Sequence, residues 1–132
     1  MWICMSDCFL SIVQPPGEPG GDKGRLLVRA RVKGDIERIF ARARVQETPG
    51  RDYRFRTLLP RWMVAKAMSD EVRRIAYSNF KDSVDEKDRH DAYFRCWAAM
   101  NALQRSRLAP KRPDGRQTLP FDEDWDMGFM RQ

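Results

Sequence analysis

A chain of 132 residues that is 42% apolar and 33% charged holds enough hydrophobic side chain for one modest core, and no run in it reaches the length of a membrane span. Its 25 Lys and Arg against 19 Asp and Glu give a formal net charge of +6, which makes polyanions and acidic proteins the partners to weigh. Eight Gly and eight Pro are too few for collagen-like or elastic repeats.

Residues 2–13 read as a strand that Ser6-Asp7 kinks or splits into a small hairpin. Pro15-Pro16-Gly17 and Pro19-Gly20-Gly21 make 14–24 a loop joining two antiparallel strands, since neither a helix nor a sheet interior takes that density of Pro and Gly. Residues 25–33 alternate: Leu26, Val28, Ala30 and Val32 point one way, and Arg25, Arg29, Arg31 and Lys33, with Leu27, point the other. This period of two predicts a half-buried strand with one basic face. A helix follows over 35–43, with Asp35 as N-cap or first-turn acid and Ile36, Ile39, Phe40 and Ala43 as its apolar stripe. Thr48-Pro49-Gly50 is a turn, and Val45-Gln46-Glu47 reads as a short strand before it. Over 52–59, Tyr53, Phe55, Thr57 and Leu59 alternate with Arg54, Arg56 and Leu58, predicting a second strand with one apolar and one basic face. Pro60 suits a helix first turn, and Val64, Ala67, Met68, Val72 and Ile75 recur at helical spacing after it. Tyr77–Lys81 is a connecting turn. A long helix spans about 85–108, with His90, Tyr93, Trp97 and Met100 on one stripe, broadened by Phe94, Ala98 and Leu103, and Pro110 ends it.

These elements predict an α+β domain over 1–108. It has a small, largely antiparallel, three- to four-stranded sheet with about three helices packed on one face. Leu26, Val28, Ala30, Val32, Tyr53, Phe55 and Leu59 are expected to bury against Phe40, Val64, Met68 and Trp97. Residues 109–132 form an extended or partly disordered tail. They carry four basic and five acidic residues, leaving the body with 25 − 4 = 21 basic against 19 − 5 = 14 acidic. The tail's Phe121–Phe129 segment mixes acids with aromatics, so it is expected to fold back on the basic body, dock on a partner through Trp125, or fray.

Several stretches resemble a group of short uncharacterised bacterial proteins over about residues 1–104. The similar pieces are Met1-Trp2-Ile3, Phe9–Val13, Leu27–Arg31, Asp35-Ile36-Glu37, Asp52–Arg56, Pro60-Arg61, Ile75–Lys81, Arg89–Tyr93 and Trp97. The resemblance implies one compact intracellular domain and carries no activity, cofactor or functional residue. Asp7-Cys8 departs from the Gly-Phe expected of the group at the first strand.

The familiar chemistries find little support. Cys4, Cys8 and Cys96 are an odd count without an export signal, which predicts reduced cytoplasmic thiols acting as small hydrophobes. One C-x3-C pair falls short of the four ligands of structural zinc, so no metal or cofactor is expected. The single histidine, His90, diverges from its neighbour Asp91 on a helix, and no nucleophile motif flanks Cys8. Phosphate-loop glycine patterns are absent, and Asp82, Asp85, Glu86 and Asp88 cluster where a helix start favours acids.

The remaining feature is the basic sheet face, Arg29, Arg31, Lys33, Arg54 and Arg56. It predicts a small non-enzymatic binding or regulatory protein, an adaptor or an inhibitor of phage or defence type, acting on a protein partner. The alternative is sequence-nonspecific nucleic-acid binding by the same arginines. Arginines outside imply Tyr53 and Phe55 inside, which counts against a base-stacking platform. The competing bland reading is a solvated outer face whose 19 Arg to six Lys reflect a GC-rich coding sequence.

Overall fold

Alternation of apolar and polar residues builds the sheet, because successive side chains of a strand face opposite sides. In the computed structural model, which describes residues 1–17 and 24–108, five strands form one antiparallel sheet. They are β1 (Trp2–Cys4), β2 (Phe9–Val13), β3 (Arg25–Ala30), β4 (Gln46–Glu47) and β5 (Phe55–Pro60), in spatial order β1-β2-β3-β5-β4. Helices α1 (Asp35–Ile39), α2 (Arg61–Arg73) and α3 (Lys87–Leu108) and a 3-10 turn at Lys81–Ser83 complete an α+β fold. The sheet has more strands than the sequence predicts, because Ser6-Asp7 turns residues 2–13 into the β1–β2 hairpin, closed by a Met5 N–H to Cys8 C=O bond of 2.9 Å. The glycine-rich segment 18–23 and the tail 109–132, with Trp125, lie outside the described residues. The chain divides at Asp91 into two compact units, Met1–Asp91 and Ala92–Gln132.

Register fixes the core of the first unit. Ile12, Val28 and Thr57 align across three strands, as do Leu26 with Leu59 and Ala30 with Phe55. This face is closed by Ile36 and Phe40 around α1 and by Val64 of α2, with Met63, Ala67 and Met68 packed against them. Gly34, at φ +94°, starts α1, a left-handed conformation that a Cβ would strain, and its carbonyl accepts from the Arg38 N–H at 2.9 Å.

Four helix and strand ends differ from the periodicity. β3 stops at Ala30, so Val32 is 53% exposed and Arg31 and Lys33 stand in the turn before α1. α1 ends at Ile39, although Ala43 still packs on the core. Pro60 is the last residue of β5 and the cap of α2, where its fixed φ of −56° fits the extended backbone. α2 ends at Arg73, leaving Val72 and Ile75 exposed on an open cleft beside Cys4 and Met5. Within the second unit, α3 stacks Phe94 on Trp97 with centroids 5.6 Å apart. Trp97, expected from sequence to be a core residue, is 49% exposed, and Met100 and Leu103 are exposed as well.

Candidate interaction face

The sheet side opposite the core is set by the same register. Trp2, Ser11, Arg29, Arg56 and Gln46 align in one row across all five strands, and Val13, Leu27 and Leu58 align in another. Two arginines directly opposite each other on an antiparallel pair repel. The repulsion is offset locally. Arg29 donates to Ser11 Oγ at 2.8 Å and lies 4.3 Å over the Tyr53 ring, while Arg56 donates to the Tyr53 carbonyl at 2.8 Å. The Nε atoms of both arginines are shielded from solvent and have no acceptor among the described residues.

Tyr53 corrects the sequence reading. It precedes β5 instead of alternating within it, and its ring lies under both Arg29 and Arg31, each 4.3 Å from the centroid. A cation over an aromatic face contributes about 0.5–1 kcal/mol at an exposed site. The expected burial of Tyr53 holds, at 4% exposed, but its ring packs beneath guanidinium groups and not within the apolar cluster that holds Phe55. Aromatic and basic residues share the outer side after all. Trp2, 70% exposed, meets Phe9 edge to face at 6.0 Å on this side.

The five basic residues singled out from sequence are only partly gathered. Arg29 and Arg56 are neighbours on the face. Arg31 binds Asp52 at 2.6 Å and Arg54 binds Glu47 at 2.6 Å, both exposed pairs of the kind worth about 0–1 kcal/mol. Lys33 stands in the turn after β3 and has no carboxylate partner among the described residues. The acids that neutralise Arg31 and Arg54 escape sequence reading because the first pairs across a loop and the second across the β4–β5 turn.

A second polar cluster lies inside the first unit. Asp35 is 4% exposed; Arg89 reaches it with two nitrogens, at 2.9 and 3.1 Å, and the Phe9 N–H donates to the same carboxylate at 2.9 Å. Arg89 also holds Glu86 at 3.0 Å. Asp35 thus joins β2, α1 and the first turn of α3 through one carboxylate. The two residues had shown only as a helix-start acid and as part of a family-like stretch. Their separation of 54 positions hides the pair from any local pattern.

Cys8 is fully buried beside this cluster. Burial pushes its thiol up from 9.0 to about 12, and the Asp7 and Asp35 carboxylates add to the rise while Arg89 opposes it. A thiol held this high is protonated at neutral pH and is a poor nucleophile. Under native conditions iodoacetamide is expected to modify the exposed Cys4 and Cys96 and to spare Cys8, read by mass spectrometry. The folded state keeps its proton where the unfolded chain loses it. The stability from Cys8 is therefore complete below pH 9 and falls as pH rises toward 12, a loss that Cys8→Ala should abolish.

His90 Nδ1 is 3.7 Å from Asp91, too far for a hydrogen bond, and Asp91 is held instead by Lys87 at 3.1 Å. Among the described residues no group of three or more His, Cys, Asp or Glu side chains could hold a metal ion, and no helix is long and apolar enough to cross a membrane. No family model matches the chain, and neither a curated protein nor a solved structure is similar to it.

Proposed function

We propose that this chain is a small non-enzymatic binding protein, an adaptor or an inhibitor, that works in the cytoplasm through contact with a protein partner across its outer sheet face. The observation that carries this reading is the mixed character of that face. Arg29 and Arg56 stand between exposed Trp2 on one side and Leu58, 40% exposed, in the neighbouring row. Aromatic and arginine side chains are the usual anchors of protein interfaces. Trp125 of the tail is a further anchor in this proposal, on the ground of its acidic and aromatic neighbours. Three free cysteines support a reducing compartment.

Sequence-blind nucleic-acid binding by the same arginines is the competing reading. Pairing of Arg31 with Asp52 and of Arg54 with Glu47 weakens it, since those guanidiniums are already neutralised. A nuclease-treated native lysate passed over the immobilised full chain is expected to yield a stoichiometric protein partner. The folded variant R29E/R31E/R54E/R56E, checked by circular dichroism, should lose that partner. Retention of generic DNA or RNA that falls steeply with salt, with no protein captured, would overturn the proposal in favour of nucleic acid.

A further inference from the structure

The fifth strand is covered on one side and half open on the other. Along β5, the Arg61 N–H bonds to the Gly24 carbonyl on the β3 side, so Phe55, Thr57 and Leu59 direct their backbone groups toward β3. Arg54, Arg56, Leu58 and Pro60 direct theirs the other way, and the Arg54 carbonyl accordingly accepts from the Thr48 N–H at 2.7 Å. β4 follows this side only as far as Gln46, opposite Arg56. Beyond it the backbone turns away as irregular chain over 43–45, and among the described residues no strand lies beside Leu58, whose carbonyl accepts only a long 3.4 Å bond from the Arg25 guanidinium. An open edge of this kind is a template for an extended segment.

A cleft of about 750 Å³ runs along that edge, between residues 39–46 and α2. Its core side is apolar, formed by Phe40, Leu59, Met63 and Ala67. Its charge is one-sided. Arg25, Arg42, Arg44, Arg56 and Lys66 line it against a single acid, Asp70, which Lys66 already holds at 2.6 Å. Arg42 and Arg44 have no carboxylate partner among the described residues, unlike Arg31, Arg38 and Arg54.

From these features we infer that the cleft takes an extended acidic segment of a protein partner as an added strand beside Leu58, its side chains alternating between the apolar wall and the arginines. The inference rests on the protein-binding reading above and names the chemistry of the partner. The Leu58 N–H, together with its carbonyl in place of the long Arg25 contact, supplies the pairing, Pro60 having no N–H to add; period two supplies the division of side chains, and uncompensated cations select carboxylates over bases. A second copy of the chain is the poorer occupant, because it would bring the same arginines together.

The test uses the full chain and a fluorescein-labelled peptide alternating Asp and Val over eight residues, followed by anisotropy at low salt. Saturable binding is expected. It should weaken by at least about tenfold in the R42E/R44E variant, as loss of two charge-assisted contacts implies. N-methylation of alternate peptide bonds should weaken it similarly, and Lys in place of Asp should abolish it. Binding that survives N-methylation would overturn strand addition, and binding that survives R42E/R44E would overturn this location. A full chain carrying D122N/E123Q/D124N/D126N is the remaining arm. If only that variant binds the peptide, the occupant is this chain's own acidic segment and the partner inference falls. A lysate partner kept by R42E/R44E but lost by R29E/R31E/R54E/R56E would leave the protein-binding reading standing while this inference fails.

Discussion

Arg89→Met is expected to cost the fold about 3–5 kcal/mol, the range for breaking a buried ion pair by removing one partner. The reason is asymmetry. Arg89 is 8% exposed along its side chain and Asp35 4%, so removing the guanidinium strands a carboxylate that water cannot reach. Among the described residues the Phe9 N–H at 2.9 Å is then its one remaining donor. Asp35→Ala should cost a similar amount, since it leaves both Arg89 and the Phe9 N–H short of an acceptor. The double variant D35L/R89M should recover most of the loss, because two buried charges replaced by apolar side chains of similar size no longer need each other. Urea unfolding of the four proteins, with a coupling energy taken around the cycle, checks the claim. Single variants that each lose less than about 1 kcal/mol would show that solvent reaches the pair.

Leu10→Ala is expected to destabilise by about 2–5 kcal/mol, the range for deletion of a large buried aliphatic side chain. Leu10 is fully buried on β2, between the β1 and β3 partners, and belongs to the apolar cluster that also holds Val28, Ile36 and Val64. A central strand cannot easily collapse into the space left behind. Leu58→Ala, on the opposite face and 40% exposed, should cost far less, under about 1 kcal/mol. Chemical denaturation midpoints with unchanged slopes would confirm that both values report packing and not a change in the unfolded chain. Equal costs at the two positions would mean that the outer face is packed as well as the inner one.

Much of this architecture was readable in residue order. The alternation of Leu26, Val28 and Ala30 with Leu27 and Arg29 declared β3 and both of its faces, and Phe55, Thr57 and Leu59 did the same for β5. Short Gln46-Glu47 was legible as a strand because Thr48-Pro49-Gly50 closes a turn behind it. The outer arginines were legible for the same reason, although their neutralisation was not. Tyr53 was misread because its parity with Phe55 holds only if the strand extends that far. The ring instead lies 4.3 Å beneath two guanidiniums, before β5 begins.

Residue order by itself determined the strand and helix types, the basic balance and the inward faces of β3 and β5, because period-two and helical spacing are properties of neighbours along the chain. Tertiary structure decided where β3 and β5 stop, that Asp35 meets Arg89, that Arg31 and Arg54 are neutralised, and that Arg42 and Arg44 flank an uncovered strand edge. Those outcomes depend on which distant groups come within a few ångströms and lose their water together, a condition no local pattern encodes.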